Sequence, residues 1–223
     1  MASLEKIKAV DKDKYTSREW IKMINSLSGF KSANLIGTSS KEGESNLCIV
    51  SSVFHIGANP PLMGFVLRPH SNESPSHTLL NIEDTKFFTI NHVNEKIYER
   101  GHQTSARYPQ EVSEFKECNL TEESGFDAPY VKEANVKIGL KFTSRTDIHE
   151  NNTHMVIGKV VEFMVPDGSV YEDGHIDLEG AGSIVVSGLD SYHKTQILSR
   201  LSYAKPGVQV NPIKVSAISK ESK

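Results

Sequence analysis

The stretch that decides the fold is residues 51–69, which read SSVFHIGANPPLMGFVLRP. Two apolar runs flank an Ala-Asn-Pro-Pro corner, a pattern typical of a strand, a break and a second strand. The two prolines cannot donate to a sheet ladder, so the corner marks a strand break or an edge. A plain core hairpin would not need Ser51 and Ser52 in mid-strand, or Arg68 just before a proline. The role of these three polar residues has to be inferred from the sequence around them.

Strand patterns continue on both sides of this stretch. Apolar and β-branched runs of strand length lie at residues 33–38, 46–56, 62–67, 86–93, 135–148, 154–165 and 183–188. The first three runs are expected to form an antiparallel meander, and the last to close the sheet. Because hairpin turns rather than helical crossovers join most of the runs, we predict a mainly β fold. It is expected to be an antiparallel barrel of about seven strands with peripheral helices, in one domain over residues 1–223.

Four helices are expected around this sheet. The first covers about residues 16–28, with Thr16 as the N-cap, Glu19 at the capping-box position and Gly29 at its end. A second follows Ser74 or Ser76. The remaining segments predicted to be helical are an irregular one at 94–116, in which a short helix starts at Pro109, and a terminal one at 195–201, within a C-terminal region of 192–223.

Composition excludes several classes of protein. The net charge is −3 without a basic block, which argues against nucleic acid as a partner. No apolar run is long enough to span a membrane, and the N-terminus has no secretory signal, so a cytoplasmic protein is expected. Cys48 and Cys118 are the only cysteines and are expected to be reduced thiols, although one disulfide is possible. No spacing of cysteines and histidines indicates a metal site.

Residues 68–78 combine an arginine with several hydroxyls directly before a predicted helix. A helix N-terminus offers free N–H groups, and a guanidinium can bind a phosphate through two hydrogen bonds. The segment is therefore a candidate phosphate site; alternatively, the hydroxyls only cap the helix and Arg68 is a solvated strand end. A hydrolase is disfavoured, since no nucleophile elbow is present and Ser51 and Ser52 lie within a strand pattern.

The chain resembles the flavin reductase-like family with the FMN-binding split-barrel fold. The resemblance rests on NLxxxSSVFHIGANPPLMGFVLRP followed by HTLLNI and FFTINHV, and continues through SARYPQEVSEF, THMVIGKVVEF, GLDSYH and LSYAKP. It covers roughly residues 30–205. Proteins of this family are homodimers with FMN at the subunit interface, and many reduce flavin with NADH or NADPH.

The resemblance implies a role for each matching residue. The isoalloxazine would lie along Asn46, Ser51, Ser52 and Val53, and the phosphate would be held by Arg68, Ser71, His77 and Thr78. Asn91 would contact the ring or the ribityl chain, and His154 would approach the nicotinamide as the catalytic residue. His55 matches the family but could equally be a structural histidine at the interface. The loop after Arg68 lacks the lysine that many family reductases have there, so FAD is possible in place of FMN.

The implied function is NAD(P)H-dependent reduction of flavin, with hydride transfer from the nicotinamide to the ring. Free flavin, oxygen or a partner oxygenase would then accept the electrons. One alternative is a flavoredoxin-like FMN electron carrier without nicotinamide activity. A second is a barrel that binds no flavin and uses these residues only structurally.

Overall fold

The computed structural model describes residues 4–69 and 76–213. Its helices are a 3-10 helix at Ala9–Lys14, α1 at Ser17–Leu27, α2 at His77–Thr85, α3 at Tyr98–Gln103 and α4 at Glu114–Glu117. The strands in the first half of the chain are β1 (Lys31–Ser32), β2 (Asn34–Ser39), β3 (Ser45–Val50), β4 (Phe54–Ala58), β5 (Pro61–Leu67) and β6 (Phe87–His92). Those in the second half are β7 (Glu122–Glu123), β8 (Tyr130–Val131), β9 (Lys137–Ile148), β10 (Thr153–Met164), β11 (Val185–Ser187) and β12 (Ser191–His193).

An antiparallel sheet of seven strands in the order β3-β2-β6-β9-β10-β5-β4 forms the centre of the described structure. Two of its inner strands, β2 and β6, are buried on both faces, because one face points into the barrel and the other is covered by outer elements that include α3 and α4. Along β2, Leu35 packs into the outer cluster while its neighbour Ile36 packs into the barrel cluster. This alternation explains why residues 34–38 are all buried. The mainly β, antiparallel split-barrel fold expected from the sequence is therefore confirmed.

The predicted single strand over residues 46–56 is wrong, since the chain leaves the ladder at 51–53 and forms two strands, β3 and β4. These strands lie at opposite edges of the seven-stranded sheet, so β2, β3 and β5 do not form the expected meander. The physical reason is that the side chain of Ser52, in place of its backbone, makes the hydrogen bonds to β5 at this point. The hydroxyl of Ser52 donates to the carbonyl of Val66 and accepts from its N–H, both at 3.0 Å. The split of the barrel lies at this corner.

The first two helices begin where their caps predict. Thr16 accepts from the Glu19 N–H, and the Glu19 carboxylate accepts from the Thr16 N–H at 2.8 Å. Hydrogen bonds to Thr16 lower the pKa of Glu19. Ser76, not Ser74, caps α2 by accepting from the Leu79 N–H. The helix expected from Pro109 is confined to the single turn of α4.

The C-terminal region differs from the prediction in two respects. Residues 183–188 do not close the barrel; β11 pairs with β1 and β12 in a separate three-stranded sheet. The helix predicted at 195–201 is absent, and residues 194–200 have no regular secondary structure. Ion pairing of Arg200 with Asp173 holds this segment, and Leu198 is fully exposed, so a helix here would have no surface against which to bury an apolar face.

Two further expectations can be compared with the described residues. Cys48 and Cys118 are both free thiols. None of the helices in residues 4–69 and 76–213 is long and apolar enough to cross a membrane.

Candidate functional site

A cavity of about 730 Å³ opens where the barrel splits. Its walls come from the end of β3 and the corner after it, from the end of β5, from the start of α2 and from the loop after α3. The end of α1, Glu114 and Leu189 complete it. This volume lies within the usual range for sites that bind small molecules and cofactors.

The exposed edge of β3 gives the cavity a row of backbone donors and acceptors. The N–H of Leu47 points away from β2 and donates to the Glu114 carboxylate at 3.0 Å. In an antiparallel pair, alternate residues direct their backbone groups to the same side. Ile49 therefore also points its N–H away from β2, and it lines the cavity together with Ser51, the first residue after the strand. A ligand with carbonyl and ring-nitrogen acceptors along one edge matches this row.

The side chains of Asn46, Cys48 and Thr78 form a polar floor. The Asn46 amide donates to the hydroxyls of Thr78 at 3.0 Å and Thr38 at 3.2 Å, and the Thr78 hydroxyl donates to the Cys48 sulfur at 3.3 Å. Both amide hydrogens of Asn46 are thus engaged, and its carbonyl oxygen has no hydrogen-bond partner within residues 4–69 and 76–213. Burial raises the pKa of the Cys48 thiol to about 12, so this group stays neutral and does not act as a nucleophile.

The corner residues Ser51, Ser52 and Val53 all line the cavity but differ in what their side chains do. Ser52 is engaged with the backbone of Val66, so its donor is not available to a ligand. The Ser51 hydroxyl has no hydrogen-bond partner within residues 4–69 and 76–213. Of the two serines, Ser51 is the one whose side chain can serve a ligand.

One end of the cavity suits a phosphate. Arg68 is exposed at the end of β5, and the cavity wall continues through Ser76, His77 and Thr78 at the N-terminus of α2. This nine-residue helix directs its free N–H groups and positive dipole end at the same place. Ser71, the remaining residue expected here, lies outside the described residues.

Asn91 is the one expected binding residue that the structure contradicts. It is fully buried, its amide donates to the Leu35 carbonyl at 3.2 Å and the Thr89 hydroxyl at 2.8 Å, and its oxygen accepts from the Val131 N–H at 3.0 Å. The strand β6 lies inside the sheet and is covered on both faces, so its side chains do not reach the cavity. Asn91 instead joins three strands of the scaffold.

His154 stands beside the cavity rather than in its wall. On β10 it lies opposite Leu67 of β5, which lines the cavity, and opposite Asp147 of β9. Its Nδ1 lies 2.8 Å from the Asp147 carboxylate, which also pairs with Arg145 at 2.9 Å. The hydrogen bond from His154, assisted by Arg145, lowers the pKa of Asp147. His55 is exposed on β4, outside the cavity wall.

The structure adds wall residues to which the sequence assigned no role. They are Lys31, Leu189, Glu114 and the segment from Thr104 to Tyr108. The Lys31 ammonium donates to the carbonyls of Asn25 and Gly188, both at 3.0 Å, and burial lowers its pKa. The sequence SARYP, which belongs to the resemblance, was the available signal for the loop after α3.

The fold and the cavity define a split-barrel protein with a ligand site at the opening of the barrel. The profile of the flavin reductase like domain matches residues 27–178, and the chain belongs to this family. Membership indicates a flavin cofactor and an oxidoreductase activity.

Solved structures agree with this assignment. The chain is 48% identical to a protein from Shewanella frigidimarina NCIMB 400 described as a flavin reductase with a split barrel domain, with a TM-score of 0.85, covering 90% of this chain and 100% of that one. Component B of nitrilotriacetate monooxygenase from Bacillus cereus is 23% identical, with a TM-score of 0.76 over 90% of this chain and 100% of that one. Flavoredoxin of Desulfovibrio vulgaris (Miyazaki F) is 19% identical, with a TM-score of 0.65 over 80% and 92%. The last two likenesses show the fold alone.

Proposed function

We propose that this protein is an NAD(P)H-dependent flavin reductase that binds FMN in the cavity at the split of the barrel. One observation carries the proposal: the cavity joins the Ile49 N–H of the β3 edge and the Ser51 hydroxyl to an arginine at a helix N-terminus. FMN has acceptors along one edge of its ring and a phosphate at the other end of the molecule, so the donors of the cavity fit both ends of one FMN. Bound FMN would supply the two-electron acceptor that takes a hydride from NADH or NADPH.

Each group of wall residues has a separate task in this proposal. The N–H group of Ile49 and the hydroxyl of Ser51 donate to the oxygen and nitrogen atoms on which charge accumulates during reduction, and such donors favour the reduced ring. The free oxygen of Asn46 accepts from a ring N–H. Arg68 and the backbone N–H groups at the N-terminus of α2, that of Thr78 included, hold the phosphate. The neutral Cys48 thiol fills space beside the ring without adding charge.

The protein is proposed to act as a homodimer with the cavity at the subunit interface. The helix α1 has no buried residue, and Ile21, Ile24 and Leu27 on its apolar side are 50%, 47% and 81% exposed. Phe30, directly after this helix, is 69% exposed. Since a helix of this kind usually packs its apolar stripe against a neighbour, a second copy of the chain is its proposed partner.

The acceptor of the electrons is proposed to be free flavin or a partner oxygenase, as the monooxygenase component B among the structural neighbours suggests. The alternative function is a flavoredoxin-like electron carrier, suggested by the second neighbour. Both use FMN in the same cavity. They differ in whether a nicotinamide nucleotide reduces the bound ring.

Titration with FMN, followed by NADH or NADPH in an anaerobic cuvette, tests the proposal. A reductase loses its flavin absorbance on addition of one of the nucleotides, whereas an electron carrier keeps it. Arg68→Ala is expected to weaken FMN binding by about 1.5–3 kcal/mol, the worth of a hydrogen bond to a charged group. Lys159→Ala, an exposed cation on β10, is the control and should leave FMN affinity unchanged. Unchanged affinity of the Arg68 variant would refute the phosphate placement.

A second experiment examines His154 as the proposed catalytic residue. Asp147→Asn keeps an oxygen near His154 Nδ1 but removes the negative charge that orients the ring. If His154 contacts the nicotinamide, Asp147→Asn and His154→Ala both slow flavin bleaching in stopped-flow measurements while FMN affinity is retained. Wild-type bleaching rates in both variants would remove the pair from the mechanism.

A further inference from the structure

A second cavity of about 600 Å³ lies directly against the first. The two share the wall formed by Ile49, Val50, Ser51, Ser105 and Leu189. The far side of the second cavity is built by α1, α3 and β12, none of which is needed to hold FMN. We call this space the α1 chamber.

The inner walls of the α1 chamber are mainly apolar. Ile21 of α1 faces it together with Val186 of β11 and Leu189 of the turn between β11 and β12. Tyr192 adds an aromatic side chain that also packs on Tyr98, with ring centroids 5.4 Å apart. Flat apolar walls of this kind favour a ring over a flexible polar ligand.

The charges around the chamber do not cancel. Lys22 is neutralised by Asp190 at 2.8 Å, and this pairing lowers the pKa of Asp190. Arg18, which also lines the chamber, has no hydrogen bond or ion pair within the described part of the chain. A guanidinium without a carboxylate partner leaves the chamber with one uncompensated positive charge.

His102 supplies a second donor on the same side. Its Nδ1 lies 2.9 Å from the Tyr192 hydroxyl. Burial raises the pKa of Tyr192, so its hydroxyl keeps the proton and can donate it to His102. In the tautomer that accepts this bond at Nδ1, the hydrogen of a neutral imidazole lies on Nε2. In that tautomer His102 adds an N–H donor to the guanidinium of Arg18.

We propose that the α1 chamber binds a flat ring that carries one anionic group, with the ring on the apolar walls and the anion at Arg18 and His102. Two sources have this chemistry, a nicotinamide nucleotide and an aromatic carboxylate. Binding of such a ligand does not depend on the proposed function, but its role does. If FMN occupies the first cavity, the shared wall at Ile49–Ser51 would bring the ring alongside the flavin, and the ligand would be a redox partner of the flavin. The chamber would then select for an anionic partner.

Isothermal titration calorimetry with matched ligands tests this inference on flavin-free and on FMN-saturated protein. The first pair is benzoate and benzamide, and the second is nicotinamide mononucleotide and nicotinamide riboside, so that only the anionic group differs within a pair. In at least one pair, the ligand with the anionic group is expected to bind about tenfold or more tightly than its counterpart without that group. The pair that binds more tightly identifies the source. Equal affinities within both pairs would overturn the proposal.

Two variants with matched controls locate the site. Arg18→Gln should remove the preference for the anionic ligand, whereas Lys12→Gln, in the 3-10 helix ahead of α1, should keep it. Ile21→Glu should abolish binding, whereas Val161→Glu, on β10 and similarly exposed at 55% but outside the chamber wall, should not. Equal effects of a variant and its control would also contradict the proposal. Because binding is also measured on flavin-free protein, the binding result can be interpreted even if the reductase proposal fails.

Discussion

The corner at 51–53 allows a sharp test, since two adjacent serines have different tasks there. In Ser52→Ala the N–H and the carbonyl of Val66 both lose their partner, each now bonded at 3.0 Å. A hydrogen bond contributes about 0.5–1.5 kcal/mol net, so the pair predicts a loss of about 1–3 kcal/mol in the free energy of unfolding. The hydroxyl of Ser51 has no such partner in the described structure, so Ser51→Ala should change stability by less than about 0.5 kcal/mol.

Urea unfolding of the flavin-free variants, followed by circular dichroism at one pH, measures both values. FMN titrations of the same samples should reverse the order, with Ser51→Ala weakening binding more than Ser52→Ala does. The reasoning would be refuted by a Ser52→Ala loss below about 0.5 kcal/mol, or by equal losses in the two variants.

Three other substitutions test separate parts of the structure. Burial lowers the pKa of His92 from 6.5 to about 4, so the unfolded chain takes up a proton before the folded protein does. The free energy of unfolding therefore falls by about 3 kcal/mol as pH drops through this range. This fall should be absent in His92→Gln, as urea midpoints measured at each pH will show. Burial raises the pKa of Glu114, so the folded state holds its proton to higher pH and stability decreases as pH rises above 4.5; Glu114→Gln should lack this decrease in the same titration. Gly37→Ala would place a Cβ against the Pro129 carbonyl and should lower the unfolding free energy by about 1–3 kcal/mol, while a melting temperature equal to that of the wild type would contradict the contact.

Local signals in the sequence predicted local structure well. The Thr16–Glu19 capping box placed α1, the apolar periods placed β2, β5 and β6, and Asn151-Asn152 marked the β9–β10 hairpin, where Asn152 adopts φ 54°. These features depend on residues within a few positions of one another, so a short stretch of sequence is enough to predict each of them.

Features that depend on distant partners could not be predicted in the same way. Nothing in 46–56 shows that the chain leaves β2 at Ser51, because the partner that replaces the ladder is Val66, on another strand. The pairing of Lys31 with Val186 joins segments from opposite ends of the chain, so the three-stranded sheet was also missed. Asn91 looked like a strand-end ligand because sequence alone does not show that β6 is covered on both faces.

The candidate site was predicted in outline. Asn46, Ser51, Ser52, Val53, Arg68, His77 and Thr78 do line one cavity. What their hydroxyl and amide groups are free to do could not be read from residue types, since Ser52 and the amide hydrogens of Asn46 are already bonded within the protein. His154 came out beside the cavity wall, and its role stays a prediction.

The walls of the cavity come from segments spread between Asn25 and Leu189. No short fragment of the chain contains the site, so ligand binding and global folding are thermodynamically linked. A ligand present at a hundred times its dissociation constant adds about 2.7 kcal/mol to the stability of the whole domain. For a domain of this size, that corresponds to a rise of about 5–11 °C in melting temperature. Thermal melting can therefore rank FMN, FAD and other candidate cofactors before any reaction is assayed.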